Sequence, residues 1–351
     1  MIGVVLEGGG AKGAYHAGAI KALLDKGIII DGVVGTSIGS INAAFVCAGE
    51  YKKMIKLWKS TTTNDLIGID NELIDNIYHK KISKKVIFGT LKTTIDILKN
   101  AGVETTKLKK ILNENINEKK IRDSVVDFGL VTYNLSDRKP EEVFKEDIPK
   151  GKLIEYLIAS CYLPVFKSEK IIDNKYYLDG GFYDNLPISM LLKKNYKKVY
   201  AIRTGALGRV KKPSLKEDQE VIYIKPKERL GTVLVFTPEK NERNMKLGYY
   251  DTLRAIDNLD GTKYYIKNKK PEYFDKILRK ITPYMLDALM KEFKTKNKKT
   301  LTIKVLEKLS EEYYINRFKV YSLPSLILKL KFAVKINNKY YDFIKNIKLK
   351  F

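Results

Sequence analysis

Three short runs in this chain combine residue types and spacings that can do chemistry. Gly8-Gly9-Gly10-Ala11-Lys12-Gly13 comes first, Gly35-Thr36-Ser37-Ile38-Gly39 second, and Asp179-Gly180-Gly181 much later. A glycine run between a strand and a helix lets backbone N–H groups face outward, and the positive end of the helix dipole adds to them. Such a turn binds an anion, either a phosphate or a developing oxyanion. The second run is a Gly-x-Ser-x-Gly. At a strand-to-helix junction a strained turn lifts the serine hydroxyl clear of the backbone, and the N–H of Ile38 and the helix dipole face any negative charge there. The other reading of Ser37 is an ordinary helix N-cap.

A nucleophilic serine needs a base. The usual order on a hydrolase sheet is serine, acid, then histidine. The only histidines are His16, before Ser37, and His79. None follows the later strands, so an aspartate touching the serine directly is the better candidate. Asp is a weak base in water, with a pKa of about 3.9. It becomes useful when partly shielded and within reach of the hydroxyl. Asp179 is that residue, and Gly180 and Gly181 after it let the backbone pass close to another loop. Taken alone, Asp-Gly is a common turn pair.

The elements around these runs set their positions. Ile2 to Glu7 reads as a buried strand and Lys12 to Lys26 as a helix stopped at Gly27. Gly32 to Gly35 reads as a second strand, and Ile38 to Ala48 as a small-residue helix. Strand, helix, strand, helix predicts a parallel sheet with right-handed crossovers. Residues 51 to 120 read as an inserted helical cap carrying Trp58, His79 and the spaced Leu91, Ile95 and Leu98. Strands are expected at Phe128–Tyr133, Glu142–Phe144, Lys198–Arg203 and Val221–Ile224. Lys170–Leu178 should be extended, and helices are expected at Leu153–Ser160 and after Pro187. Beyond Lys240 the chain becomes helical, Tyr-rich and basic. Leu328–Ile336 alternates as a strand would. Tyr340, Phe343, Ile344, Ile347 and Phe351 follow helical spacing with lysines among them, either a basic amphipathic helix or a helix docked on the core.

Composition bounds the function. The 351 residues allow one large domain with an appendage. Lys and Arg number 66 against 41 Asp and Glu, a net charge of +25. That surface attracts polyanions, nucleic acid or an anionic membrane, unless it is simply a solvated lysine coat. No apolar run reaches the ~18 residues of a spanning helix. Met1–Glu7 has no basic n-region, so no secretory leader is expected. Cys47 and Cys161 cannot build a disulfide framework and read as core residues, which makes the cytoplasm the expected compartment. Two rivals remain at this point. A dinucleotide site would use Gly8, Gly10 and Gly13 with Asp31 as the ribose acid; a charge-driven nucleic-acid or membrane scaffold would leave the serine idle.

The three runs together resemble the patatin-like phospholipases. The later block of Ala159-Ser160, Pro164, Phe166, Asn185 and Pro187 is also similar to that family, as is Leu247-Gly248-Tyr249-Tyr250-Asp251. The resemblance covers roughly residues 1 to 260, leaving 261–351 as a basic, mostly helical extension that could face a membrane. It implies an α/β fold: a three-layer α/β/α sandwich with a mainly parallel central sheet and a helical insert. It implies a Ser37–Asp179 dyad without histidine, and an oxyanion hole from the amides of Gly8, Gly9 and Gly10. Lys12, Gly13, Gly35, Gly39, Gly180 and Gly181 are the supporting motif residues. Lys12 stands where the family often has Arg, and Glu7 where Asp is common. The implied activity is hydrolysis of fatty-acyl esters of membrane lipids, or acyl transfer by the same dyad. No metal or organic cofactor is required. The expected partners are a phospholipid or other acyl-lipid substrate and an anionic membrane surface, with no nucleic acid and no stable protein partner.

Overall fold

The first glycine run begins where a five-residue buried strand stops. This computed structural model describes residues 1–67 and 104–349. Strand β1 is Ile2–Leu6, followed by a 3-10 turn at Gly10–Gly13 and helix α1 at Ala14–Asp25. Then come β2 (Gly32–Thr36), α2 (Ile38–Cys47) and α3 (Tyr51–Ser60). Strands β3 (Asp127–Asn134), β4 (Lys139–Phe144), β5 (Tyr177–Asp179), β6 (Lys198–Ile202) and β7 (Glu220–Ile224) complete the sheet. Among the described residues it has seven strands in the order β4-β3-β2-β1-β6-β7, with β5 paired to β3. The five strands from β3 to β7 in that order run parallel, and β4 and β5 run antiparallel to β3.

The layers follow from which side chains each strand buries. Val5, Val34, Val131 and Ala201 pack with Ile188, Met190 and Leu191 of the helix Ile188–Lys193. The alternate residues Val4, Leu6, Val33 and Leu130 are fully buried and point to the other face, which α2 covers. Helices therefore cover both faces of a mainly parallel sheet, the expected three-layer α/β/α arrangement.

One feature of the register governs the site. β2 pairs with β3 from Gly32↔Asp127 to Thr36↔Val131. The next residue of β3, Thr132, pairs with Asp179 of β5, and Asn134 pairs with Tyr177. Strands β2 and β5 thus share one edge of β3 and run toward each other, end to end. Ser37 leaves one as Asp179 arrives on the other. The chain must then turn at once: a Cβ on Gly180 would lie 2.2 Å from the Val131 carbonyl oxygen and 3.0 Å from Thr36 Cγ2.

The described parts of the expected cap are helical, at α3, Thr63–Ile67, Thr106–Asn115 and Glu118–Asp123. His79, Leu91, Ile95 and Leu98 lie outside the described residues, as do Lys350 and Phe351. The segment before β5 is less extended than expected, because Asp173 and Asn174 adopt positive φ in a tight turn bridged by Ile172 and Lys175.

The chain divides into two compact units, Met1–Asp251 and Thr252–Phe351. The second unit holds its own core, including Phe274, Leu301, Leu306, Leu326 and Phe343. Buried Glu307 pins its start by accepting the N–H groups of Thr262, Lys263 and Tyr264 at 2.6, 2.7 and 2.9 Å. The strand expected at Leu328–Ile336 is instead the end of a helix, Leu323–Ala333. Ser322 caps it, Pro324 fits its first turn, and the buried residues Leu323, Leu326, Ile327 and Leu330 keep a helical period. The last helix, Tyr341–Asn346, buries Phe343 and Ile344 in this core. Of the two readings of the tail, docking on the core is the one found. Among the described residues, no helix is long and apolar enough to cross a membrane.

The close approach at Gly180 is testable. Gly180→Ala should lower stability by at least about 2 kcal/mol, because backbone must move to admit the methyl. Urea denaturation followed by circular dichroism reads this directly. An unchanged midpoint would contradict the register described here.

Candidate active site

Ser37 sits between β2 and α2 with φ 56° and ψ −132°. A non-glycine residue there stores on the order of 1–3 kcal/mol of strain, which its surroundings must hold. The Ser37 N–H donates to Ser160 Oγ at 2.9 Å, and Ser160 donates onward to the Val131 carbonyl at 2.7 Å. Ser40 Oγ donates to the Ser37 carbonyl at 2.7 Å, and Thr36 Oγ1 to the Asp184 carbonyl at 2.8 Å. The flanking glycines are needed for proximity. A Cβ on Gly35 would lie 2.3 Å from the Gly39 carbonyl carbon, and one on Gly39 would lie 2.2 Å from the Leu6 carbonyl oxygen. The Ser37 side chain makes no capping bond. The N-cap reading therefore fails, and the hydroxyl is left for other work.

Asp179 is 4% exposed. Its Oδ1 accepts the Gly181 N–H at 2.7 Å, while Oδ2 accepts no hydrogen bond from the described residues. The Ser37 hydroxyl is close enough to the carboxylate to favour its charged form by hydrogen bonding, although Oδ2 has no well-aligned donor among the described residues. That is common for catalytic contacts before substrate binds. Burial pushes the Asp179 pKa up to about 6, against the opposing pull of Ser37 and the Gly181 N–H. An aspartate so placed is a much better base near neutrality than one in water.

The glycine turn lies beside this pair: a Cβ on Gly8 would lie 3.3 Å from Ser37 Cβ. The Gly8 N–H, however, donates to the Asn185 carbonyl at 3.1 Å. This corrects the expected oxyanion donors. Gly8 is committed to the fold, and the N–H groups of Gly9 and Gly10 are the ones with no hydrogen bond among the described residues. Gly9 and Gly10 have φ of 153° and 52°, which favour glycine. Lys12 Nζ donates to the Gly205 carbonyl at 3.1 Å, and burial lowers its pKa against the pull of Glu7. Gly13 admits Ile38 and Trp58, both within 3.0 Å of where its Cβ would be.

Ser37 and Gly10 line a cavity of about 120 Å³. Its walls are mainly apolar, with Phe45, Met54, Trp58, Leu108, Leu112 and Phe236 among them. The polar groups of Trp58 and Asn42 on the wall are satisfied within the protein. Trp58 Nε1 donates to Asn42 Oδ1 at 3.0 Å, and Asn42 Nδ2 to the Gly13 carbonyl at 3.0 Å. The site thus brings near one another a hydroxyl, a shielded carboxylate, an apolar chamber and two amides without partners among the described residues.

The remaining candidate residues lie elsewhere or serve the fold. His16 is fully buried beside Asn42, and burial drives its pKa down to about 3, so it stays neutral and apart from the pair. Asp31 cannot serve a dinucleotide at the glycine turn. Its carboxylate accepts the Ile2 N–H at 2.6 Å at the start of β1, and Gly8 is six residues farther along, roughly 20 Å at strand rise. Cys47 and Cys161 are both free and buried. Cys161 also lines the cavity, and burial together with Asp179 holds its thiol well above the usual range and protonated. Its place beside Ser37 has no separate signal in the sequence, and the family-like block that contains Ser160 does not reveal its role as a clamp.

Residues 4–192, more than half of the chain, match the family model described as patatin-like phospholipase. The lysophospholipase NTE1 of Kluyveromyces lactis is 27% identical over 267 residues, which is 74% of this chain and 16% of that protein. Human patatin-like phospholipase domain-containing protein 6 is 28% identical over 213 residues, 58% of this chain and 13% of that protein. The chain therefore spans less than a fifth of the length of these relatives. Among solved structures, VipD from Legionella pneumophila superposes with a TM-score of 0.46 at 17% identity, covering 96% of this chain and 80% of that one.

The raised Asp179 pKa has a signed consequence. A carboxyl that is easier to protonate when folded stabilises the protein below about pH 4, and that contribution is lost as pH rises through about 6. Asp179→Asn does not titrate. Its stability relative to wild type should therefore grow by on the order of 3 kcal/mol between pH 4 and pH 7. A difference that stays flat with pH would contradict a buried, ionising Asp179. Covalent labelling of Ser37 by diisopropyl fluorophosphate should slow in the other direction, as pH falls through about 6.

Proposed function

Because the chain belongs to the patatin-like phospholipase family, we propose that it is a serine lipid acyl hydrolase, of phospholipase A or lysophospholipase type, that cleaves fatty-acyl esters of membrane lipids. The single observation that carries the reading is that Ser37, on the wall of an apolar cavity, lies within reach of a shielded Asp179. Ser37 Oγ attacks the ester carbonyl while Asp179 takes its proton. The tetrahedral oxyanion accepts hydrogen bonds from the Gly9 and Gly10 amides, each worth ~3 kcal/mol in comparable sites. The carbonyl re-forms, the alcohol or lysolipid leaves with the proton from Asp179, and the acyl group stays on Ser37. Water then attacks with Asp179 again as base, which frees the fatty acid and restores the serine. The apolar cavity suits the acyl chain, whose burial contributes ~0.8 kcal/mol per methylene.

The charge supports work at an anionic bilayer. Residues 252–351 carry 24 Lys and Arg against 10 Asp and Glu. On that unit Phe332 and Ile336 are 85% and 80% exposed, with Lys329, Lys335 and Lys339 exposed nearby. Apolar side chains set among lysines suit insertion between anionic headgroups, where each basic residue adds on the order of 1 kcal/mol. Two free, buried cysteines accord with a cytoplasmic enzyme that meets membranes peripherally.

Two experiments test these readings. Ser37→Ala should lower fatty-acid release from mixed phospholipid vesicles by at least about 10³-fold with the melting temperature retained; comparable release by the variant would refute the nucleophile. The double variant Phe332→Ser/Ile336→Ser should weaken co-sedimentation with phosphatidylserine-containing vesicles about tenfold while sparing hydrolysis of soluble p-nitrophenyl butyrate. Undiminished vesicle binding would exclude this surface as the membrane contact.

A further inference from the structure

We propose that Thr204 is a positioning residue of the oxyanion hole: its hydroxyl holds the Gly8 carbonyl and so fixes the Gly9 N–H as a donor to the reacting carbonyl. The inference rests on the hydrolase reading above and assigns a role to the loop after β6.

Strands β1 and β6 are parallel neighbours, with Leu6 paired to Ile202. The residues leaving them, Glu7-Gly8 and Arg203-Thr204, therefore emerge level with one another. Glu7 is fully buried. Its Oε1 accepts Arg203 Nε and Nη2 at 3.2 and 3.0 Å, and its Oε2 accepts the N–H groups of Thr204 and Gly205 at 2.5 and 2.9 Å. A buried carboxylate draws the second loop onto the first and sets Thr204 in place.

Thr204 is 2% exposed. Its Oγ1 lies 2.7 Å from the Gly8 carbonyl oxygen and 3.2 Å from Glu7 Oε2. The hydroxyl has one hydrogen. Glu7 Oε2 already accepts two amides, and the Gly8 carbonyl is the nearer acceptor, so the hydrogen belongs to Gly8. In a trans peptide the C=O and the next N–H point in opposite directions, and no described peptide is cis. Holding the Gly8 carbonyl toward Thr204 thus turns the Gly9 N–H the other way, where it has no partner among the described residues.

This control matters because the Gly8–Gly9 peptide joins two glycines, which oppose rotation of the peptide plane least. The following peptide is already held, since the Gly9 carbonyl accepts the Lys12 N–H at 3.1 Å. Only Thr204 holds the Gly8 carbonyl among the described residues. A rotated Gly8–Gly9 peptide would present a carbonyl oxygen to the oxyanion in place of a donor.

Thr204→Val keeps the shape and removes the hydroxyl. With a soluble ester, kcat should fall about 10- to 100-fold, short of the 10²–10³ seen when a donor is deleted outright, and KM should stay within about twofold. Phosphonylation of Ser37 by a fluorophosphonate, whose phosphoryl oxygen occupies the oxyanion position, should slow by the same factor. Thr204→Ser should return both rates to within about threefold of wild type. If the valine variant folds poorly, the comparison of Thr204→Ser with Thr204→Ala isolates the hydroxyl in the same way. Wild-type kcat and labelling in Thr204→Val overturn the inference alone, as does a loss that tracks melting temperature and KM and that serine does not rescue. An inactive wild type with Ser37 unlabelled would remove the hydrolase reading and the inference together.

Discussion

Two strands meeting head-on along one edge of β3 hold this site together. β2 uses that edge as far as Val131, and β5 takes it up at Thr132 from the opposite direction. Backbone hydrogen bonding therefore brings Ser37 and Asp179 together across 142 positions of sequence. The precision of the contact is the precision of a β-ladder, which tolerates no one-residue slip without turning side chains to the wrong face. It explains the glycine after Asp179, since a chain arriving at the end of another strand has no room for a Cβ.

The same junction concentrates unfavourable terms that the surrounding structure must offset. Ser37 is strained, and among the described residues one oxygen of the buried Asp179 carboxylate and two amides at the glycine turn lack partners. Each is a loss for stability and, in the proposed mechanism, a gain for reactivity. A poised base needs shielding, and an oxyanion hole needs donors that nothing else has taken. The offset comes from ordinary residues. Ser160 and Ser40 clamp the elbow at its N–H and its carbonyl, and Glu7 ties the turn to the loop beyond β6 with charge-assisted hydrogen bonds.

Much of this architecture is legible in the amino-acid sequence. Glycines mark close approach, so the spacing around Ser37 and Asp179 points to an elbow and a tight return, and the scarcity of histidine points to an aspartate base. What stays hidden depends on partners remote in sequence. Gly8 has the motif position of an oxyanion donor, yet its N–H is bound to Asn185. Asp31 has the right separation for a ribose acid but sits at the wrong end of its strand. Ser160 and Thr204 belong to no pattern that marks a hydroxyl as a clamp. Leu328–Ile336 misleads for a different reason. Alternating Lys and apolar residues satisfy a period of two over a short window, and only the buried set reaching back to Leu323 reveals the helix.

The proposed chemistry requires Ser37 to carry the acyl group, with Asp179 as the base that loads it. Rapid acid quench of the protein with a long-chain p-nitrophenyl ester, followed by proteolysis and mass mapping, observes that intermediate directly. The expected result is one acylated peptide bearing the fatty acid on Ser37, formed within the first turnover and missing when Asp179 is replaced by Asn. Acyl groups on another residue, or equal acylation of Ser37 without the Asp179 carboxylate, would contradict it.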